Sequence, residues 1–308
     1  MEAARLQASR KRYGEKVIHG LLAVCAAISV LTTTAIVISL IGPTIGFFEV
    51  VPVDEFLFGT DWTPQFEPPS FGVLAIVAGT LNVALWGMLF AIPIGLGSAI
   101  YLSEYASPGV RKTVKPTLEI LAGIPTVAIG FFAVTFLLPE IIQPIWPGEL
   151  LGGANKPFIA LAGGLGIGLM IVPIIASISE DAMSAVPSGL REGAYAMGAT
   201  KMEVATRVVF PAALSGIVAS IVLAISRAVG ETMIVLIAAG STPNFTLNPV
   251  EPIQAMTAYI GVTATGDIST GSTDYKAVFA VGTVLFVMTL AMNMIAIRLV
   301  RRYREVYD

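Results

Sequence analysis

The sequence has very few of the residues from which most catalytic and metal sites are built. Its 308 residues include one cysteine, Cys25, and one histidine, His19. A single cysteine excludes an internal disulfide framework and a cysteine-rich metal site. One histidine and one cysteine cannot build a histidine-based zinc site or a cysteine–histidine nucleophile pair. The sequence therefore predicts no metal site and no catalytic centre of these kinds.

Charged residues are scarce as well. They make up 13% of the chain, whereas an ordinary soluble domain carries about 25%. Hydrophobic residues make up 55%, too many for the chain to cover a water-facing surface of normal polarity. The net charge is only −3, and the basic residues do not spread over a face that follows a phosphate backbone, which argues against nucleic-acid binding. This composition predicts an all-α integral membrane protein.

The chain contains six runs long enough to cross a bilayer, which needs about 20 mostly apolar residues. The first follows a basic segment, but it is too long for a signal-peptide core and no small-residue cleavage site follows it. We therefore expect it to be retained as a helix. The six predicted spans are 18–41, 72–102, 114–138, 158–178, 212–238 and 277–299.

The basic residues predict the orientation of these spans. Fifteen of the 18 lysines and arginines lie in the N-terminal tail, in the loops after spans two and four, and in the C-terminal tail. Lysine and arginine concentrate on the cytoplasmic side of membrane proteins. Six spans would place all four segments on that side, with both termini in the cytoplasm. The predicted regions are a tail 1–17, a helix 18–41, an external loop 42–71, a five-helix domain 72–299 and a tail 300–308.

The loop after the fourth span, residues 179–211, is long and has helical character. Ser188 is predicted to cap a short helix, which Gly198 ends, and a second short helix is predicted over 201–209. Pro211 is expected to close the second helix. Two short helices with a bend between them suit a docking surface for a partner. An amphipathic loop that rests on the membrane explains the pattern equally well.

The residues of this loop match a known pattern. Glu-Gly-Ala at 192–194 is followed by three residues and Gly198, then by nine residues and Val-Val-Phe-Pro at 208–211. This resembles the EAA loop of ABC-importer permeases, with Gly193 in place of the first alanine and Val and Phe in place of the usual Ile and Leu. The resemblance implies a type I ABC importer permease fold whose coupling helix sits in a groove of a separate ATPase subunit. The residues it assigns to that contact, within 188–200, are Ser188, Arg191, Glu192, Ala194, Tyr195, Gly198, Ala199 and Thr200.

Two charges lie inside the predicted fifth span. Arg227 and Glu231 are four residues apart, which predicts that they share one face of a continuous helix. A charge near the bilayer centre costs about 2.5–3.5 kcal/mol on insertion scales, so an intramembrane arginine is a candidate substrate site. A guanidinium matches the oxygens of an oxyanion two at a time. A structural ion pair that locks the bundle is the alternative.

The same segment carries a second resemblance. Arg-Ala-Val-Gly-Glu-Thr-Met at 227–233 is similar to the signature of phosphate permeases of the PstC type, and segments 101–106, 121–126 and 58–64 also fit that family. The resemblance covers nearly the whole chain from residue 20. It assigns Arg227, Glu231 and Thr232 to the substrate pathway.

This second resemblance also implies a set of partners. They are a PstA-type permease subunit, two ATP-binding subunits, an external phosphate-binding protein and the lipid bilayer, with no nucleic acid. ATP and Mg²⁺ belong to the partner ATPase, so this chain is expected to bind no cofactor and to catalyse no reaction. Transport would proceed by alternating access in the plasma membrane.

Other interpretations stay open at this point. The cargo of the importer can be another oxyanion, such as molybdate or sulfate, or a different solute. An intramembrane enzyme or an assembly protein is the alternative from a different class. One more charge, Glu119, is expected to pair with Lys115 one turn earlier, or else to line the pathway.

Overall fold

The computed structural model describes residues 13–146 and 156–302, which are almost entirely helical. One small antiparallel hairpin pairs β1, Trp62–Thr63, with β2, Ser70–Phe71. Short π-helical segments continue three helices over Tyr101–Tyr105, Ala133–Ile142 and Ala205–Val209. The helices are α1 (Tyr13–Phe48), α2 (Val53–Phe58), α3 (Leu74–Ile100), α4 (Pro108–Leu121), α5 (Thr126–Phe132), α6 (Gln143–Ile145), α7 (Ala160–Ser184), α8 (Ser188–Ala196), α9 (Lys201–Val204), α10 (Phe210–Ala212), α11 (Leu214–Val229), α12 (Met233–Ala238), α13 (Met256–Thr265) and α14 (Thr273–Arg302).

Five helical stretches within the described residues are long and apolar enough to span a membrane. A sixth is formed if a pair bent by 72°, Lys201–Ala212 with Leu214–Val229, is counted as one span. The predicted number of about six spans agrees with this result. The five stretches are Glu15–Phe48, Leu74–Tyr105, Thr126–Ile145, Ala160–Ser184 and Thr273–Arg298.

The first helix is longer than predicted and continues through Pro43 to Phe48. The extension is apolar, and Phe47 is fully buried at its end. Phe47 packs edge-on against Phe56 and Phe71, with ring centroids 5.2 and 5.4 Å apart. These contacts belong to an aromatic cluster beside the hairpin, so part of the predicted external loop 42–71 is ordered helix and hairpin. Residues 1–12 and 303–308, which include most of the predicted tails, lie outside the described residues.

The third span begins later than predicted. Residues 114–121 belong to α4, an amphipathic helix with no buried residue, which ends at Leu121. The chain then turns, and a new helix begins at Thr126, directly after Pro125. Proline has no N–H to donate and disfavours helical geometry in the residue before it, and both effects favour a break at this position.

The two central helices, α3 and α7, are in close contact along much of their length. The contact is lined by glycines, and side chains would not fit there. A Cβ atom on Gly95 would lie 2.8 Å from Ile175 Cβ, and one on Gly164 would lie 2.8 Å from Trp86 Cβ. On Gly168 it would lie 2.7 Å from Phe90 Cδ1. The backbones therefore approach each other directly, and the other elements pack around this pair.

Replacing Gly95 tests this close approach. We expect Gly95→Leu to destabilise the protein by about 1–3 kcal/mol, because the new side chain has no space against Ile175. Gly97→Leu on the same helix is the matched control, since no atom lies within 4 Å of a Cβ at that position. The measurement is thermal denaturation of the detergent-purified chain. Equal melting temperatures for the two variants would contradict the packing described here.

Candidate functional site

The charged pair of the fifth span lies at a break between two helices. Helix α11 ends at Val229 and α12 begins at Met233, with residues 230–232 between them. Arg227 is therefore in the last turn of α11, whereas Glu231 lies outside that helix. The prediction that both share one continuous helix face is wrong. Gly230 has a low helix propensity because its backbone is conformationally free, so a helix can end there at low cost.

Glu231 is buried and capped by backbone groups. Its Oε1 atom accepts hydrogen bonds from Met233 N at 3.2 Å and Ile234 N at 3.3 Å. These are first-turn amides of α12, which have no partner within the helix. The other oxygen, Oε2, lies 3.8 Å from Arg227 Nη2. Glu231 thus serves as the N-terminal cap of α12 as well as the partner of Arg227.

Arg227 is far more accessible than its partner. Its side chain is 50% exposed, against 4% for Glu231. Its guanidinium makes no hydrogen bond within 13–146 and 156–302, so its donors are available to an anion. Thr232, the third residue assigned to the pathway, is half-buried beside the break and has no side-chain cap bond. The structure therefore brings Arg227, Glu231 and Thr232 together at one point.

Helix α13 supports the break from the side. Thr257 Oγ1 donates to the carbonyl oxygen of Glu231 at 2.7 Å. The neighbouring Met256 N donates to Thr80 Oγ1 of α3 at 3.0 Å. These bonds connect the break to the central helix pair through buried groups. The position of the break is thus fixed by two other elements, α13 and α3.

The predicted coupling region, residues 188–200, forms one short helix and a turn. Helix α8 spans Ser188–Ala196, and Gly198 follows with φ +84°. Only the side of α8 that carries Ala194 is buried, in an apolar cluster that also includes residues from the ends of α3, α7 and α11. We call residues 188–200 the coupling segment. Its N-cap position is held by Pro187, which is extended, so the prediction that Ser188 caps the helix is wrong.

The predicted coupling residues fall into a buried or partly buried group and an exposed group. One exposed member, Thr200, caps α9: its hydroxyl accepts from Glu203 N, and Glu203 Oε2 accepts from Thr200 N at 2.9 Å. Ala194 is buried, and Arg191 and Ala199 are partly buried. The exposed members are Ser188, Glu192, Tyr195, Gly198 and Thr200.

Arg191 faces the helix bundle. Its Nε and Nη2 atoms donate to Glu104 Oε1 at 3.3 and 3.0 Å. Nη1 donates to Val186 O at 2.6 Å and Nη2 to Met183 O at 2.8 Å. Glu104 lies in the π-helical end of α3, and Met183 lies in the last turn of α7. One guanidinium therefore joins the coupling segment to both central helices.

A second buried carboxylate, Glu180, lies near the same end of α7. It is fully buried and paired with Arg111 and Lys115, both from α4. Lys115 Nζ lies 2.8 Å from Glu180 Oε2 and also bonds Asp181, so its predicted pairing with Glu119 is wrong. Burial lowers the pKa of Lys115, but hydrogen bonds and charges from Asp181 and Glu180 outweigh it, so the net shift is upward.

Sequence reasoning missed both buried carboxylates. Glu104 lies in segment 101–106, which resembles the PstC-type permeases, and Glu180 lies at the edge of an apolar run. The sequence does contain a signal for such residues, namely an acidic residue within or next to an apolar run. A carboxylate that is buried there requires a cation nearby. Glu104 and its cation Arg191 are 87 residues apart in the sequence, and Glu180 and its cation Lys115 are 65 residues apart. Their identity therefore needed the fold.

The cap formed by Glu231 gives a test of its structural role. We expect Glu231→Ala to lower stability by about 0.5–2 kcal/mol, because two amides of α12 lose their acceptor. Glu231→Gln keeps an oxygen acceptor at the same position and should melt close to the wild type. The measurement is thermal denaturation of the detergent-purified chain. If glutamine were as destabilising as alanine, the charge would matter and the cap would not.

The chain is similar to a family of membrane transport proteins. Residues 91–305 match the family described as the binding-protein-dependent transport system inner membrane component. The probable ABC transporter permease protein YqgH of Bacillus subtilis is 34% identical over 289 residues, which cover 92% of this chain and 91% of that protein. The phosphate transport system permease protein PstC of Haemophilus influenzae is 33% identical over 305 residues, covering 92% and 93%. The PstC of Mesorhizobium japonicum is 34% identical over 257 residues, covering 79% and 76%.

Solved structures agree on the fold. A chain from a bacterial alginate ABC transporter, solved with an alginate pentasaccharide-bound periplasmic protein, matches with a TM-score of 0.64 at 20% identity. The match covers 97% of this chain and 100% of that one. A chain of the MetNI methionine ABC transporter matches with a TM-score of 0.55 at 20% identity, covering 76% and 95%. The predicted all-α permease fold and the resemblance to PstC-type permeases are confirmed. Since the family match spans more than half of the chain and the relatives exceed 30% identity over most of it, the chain belongs to the inner membrane component family of binding-protein-dependent transport systems.

Proposed function

We propose that this chain is one of two permease subunits that form the pore of an ATP-driven phosphate importer, with Arg227 as the residue that meets the anion. The observation that carries the proposal is the half-exposed guanidinium of Arg227, positioned at a helix break beside a buried and capped carboxylate. Relatives named as phosphate permeases support the choice of cargo. The alginate and methionine transporters share the fold, so the fold alone does not determine the cargo.

The geometry indicates how an anion would be exchanged. Two backbone amides hold Glu231 in place, so Arg227 is the partner that is free to turn. Charges about 4 Å apart attract by about 1 kcal/mol in water and about 4 kcal/mol near a protein surface. A half-exposed arginine lies between these limits, and a divalent anion competes for it readily. Binding that is weak and exchangeable suits a transport pathway better than tight binding.

Thr232 adds a neutral group to the same point. Within the described part of the chain its hydroxyl makes no hydrogen bond, and it stands next to Glu231 in sequence. We assign it a hydrogen bond to the anion as Arg227 turns away from Glu231. Glu231 then keeps α12 in place and neutralises Arg227 whenever the pathway is empty.

The coupling segment is assigned to the contact with an ATPase subunit. Its outward side carries Ser188, Glu192 and Tyr195, followed by Gly198 and Thr200, and Met197 is 85% exposed. Leu190 and Tyr195 of the segment and Met202 just after it are exposed as well, and a group of exposed apolar side chains favours a protein partner. On this assignment both termini are cytoplasmic, as the distribution of lysine and arginine predicts.

The complete transporter would contain this chain, a PstA-type permease, two ATP-binding subunits and an external phosphate-binding protein. ATP and Mg²⁺ would bind to the ATP-binding subunits, and this chain would hydrolyse nothing. Closure of the ATPase pair would push on the coupling segment and switch the pore between outward and inward access. The plasma membrane is the expected location.

Phosphate uptake tests the assignment of Arg227. The chain would be expressed with its partners in cells that lack their own high-affinity importer. We expect Arg227→Gln to lower uptake roughly tenfold or more, because a hydrogen bond to a charged group contributes about 1.5–3 kcal/mol. Phosphate uptake by Arg227→Lys should lie between those of the wild type and Arg227→Gln, since lysine keeps the charge but loses the planar fork of the guanidinium.

The control is Arg207→Gln, because Arg207 is 78% exposed and lies outside the proposed pathway. Membrane levels and co-purification of the ATPase would be checked for every variant. Unchanged uptake by Arg227→Gln would make the Arg227–Glu231 pair structural. If the wild-type complex assembled but moved molybdate or sulfate rather than phosphate, the importer assignment would stand and the cargo would change.

A further inference from the structure

We propose that Arg191 is a positioning residue, which makes the coupling segment move as one body with α3 and α7 by binding the buried carboxylate of Glu104. This inference rests on the proposed coupling role of residues 188–200. It differs from the sequence prediction, in which Arg191 belongs to the surface that touches the ATPase. It also gives a role to Glu104, a residue with no previous assignment.

The contacts of Arg191 point away from the outer side of the segment. Its side chain is 19% exposed and gives its hydrogen bonds to Glu104, Val186 and Met183. The donors Nε, Nη1 and Nη2 are all used, and the acceptors belong to α3, α7 and the turn after α7. A guanidinium that is committed in this way has little left to offer a second protein.

Glu104 is the fixed point of this arrangement. Its side chain is 5% exposed, and Ser103 Oγ donates to its Oε1 atom at 3.0 Å. In the part of the chain that the structure describes, Arg191 is the cation paired with it. An ionised group that is buried needs its partner to remain where it is. The pair therefore resists separation of the coupling segment from the end of α3.

The other contacts of the segment are less directional. Ala194 packs in an apolar cluster with Val204 and Val209, and apolar packing permits sliding. Directly after the segment, in α9, Lys201 Nζ lies 5.0 Å from the ring of Tyr105, and the Tyr105 hydroxyl donates to Met202 Sδ at 3.6 Å. Both of these contacts are exposed. The planar fork of Arg191 is the contact that sets the orientation of α8.

Movement of α7 would be passed on to α11, which packs closely against it. Ser179 Oγ of α7 and Ser220 Oγ of α11 are buried and 2.7 Å apart. A Cβ added to Gly216 would lie 2.4 Å from Ala182 Cβ, so α7 and α11 are also in close contact here. Arg227 is in the last turn of α11, about 20 Å from its start at 1.5 Å per residue. A push on α8 that moves α7 is thus transmitted toward the proposed anion site.

The inference predicts uncoupling. Without the Arg191–Glu104 pair, closure of the ATPase moves the coupling segment but not α3 and α7. ATP hydrolysis then continues while phosphate transport falls. The outward contact residues are untouched, so the ATPase subunits stay bound.

The first experiment uses the full complex in proteoliposomes with Arg191→Ala, Glu104→Gln and the double variant. We expect all of them to retain the ATPase subunits and to lower phosphate uptake per ATP at least fivefold. The double variant should be no worse than either single one, because both changes remove the same interaction. Arg191→Lys should have a phosphate uptake per ATP between those of Arg191→Ala and the wild type. Arg207→Ala in the same loop is the control, since its pair with Glu203 is exposed.

Two results would overturn the inference. If Arg191→Ala lost the ATPase subunits while Glu104→Gln kept them, Arg191 would be a direct contact. An unchanged uptake per ATP in Glu104→Gln would show that the pair is not needed for coupling.

A second experiment does not depend on the cargo. Cys25, the only cysteine of this chain, is replaced by alanine, and spin labels are attached at Gly97→Cys of α3 and Gly189→Cys of α8, where no atom lies within 4 Å of a Cβ. We expect one narrow distance distribution in the otherwise unchanged complex and a broad one with Arg191→Ala or Glu104→Gln. Unchanged distributions would overturn the inference. A wild-type complex that moves no phosphate but gives the expected distances would instead refute only the proposed cargo.

Discussion

The direct backbone contact between α3 and α7 is the constraint on which the other elements depend. Glycine at positions such as Gly95 and Gly164 lets the two helices approach without side chains between them. The helix break at Glu231 is connected to α3 through α13, and the coupling segment is connected to both helices through Arg191. A lipid environment offers no hydrophobic gain for helix association, so close van der Waals contact of this kind has to supply it.

Among the described residues, three buried carboxylates lie where helices end or are interrupted. Glu104 lies in the π-helical end of α3, Glu180 near the end of α7, and Glu231 in the break before α12. Each is paired with a cation outside its own helix, and Glu231 also binds backbone amides. The cost of burying a charge is therefore met locally in every case. These pairs therefore connect segments that are separate in the fold.

Much of the fold could be predicted from the sequence, because an apolar run of bilayer length is a strong signal. The short helix that begins at Ser188 and the bend at Gly198 were also predictable, since both depend on local chemistry. The break after Val229 was not, because it is held by Glu231 and by Thr257 from a distant helix. For Lys115, the rule for neighbours on one helix predicted Glu119, but tertiary contact with Glu180 and Asp181 prevailed. The role of the candidate site stays a prediction, and its geometry required the structure.

Gly198 and the glycines between α3 and α7 are required for opposite reasons. At Gly95 the limit is space, so even a methyl group is excluded whatever the backbone conformation. At Gly198 space is open and the limit is the handedness of the backbone, with φ at +84°. Asparagine and aspartate tolerate that conformation better than other residues. During sequence drift the two kinds of position should accept different replacements, so substitution patterns among homologues would separate a steric requirement from a conformational one.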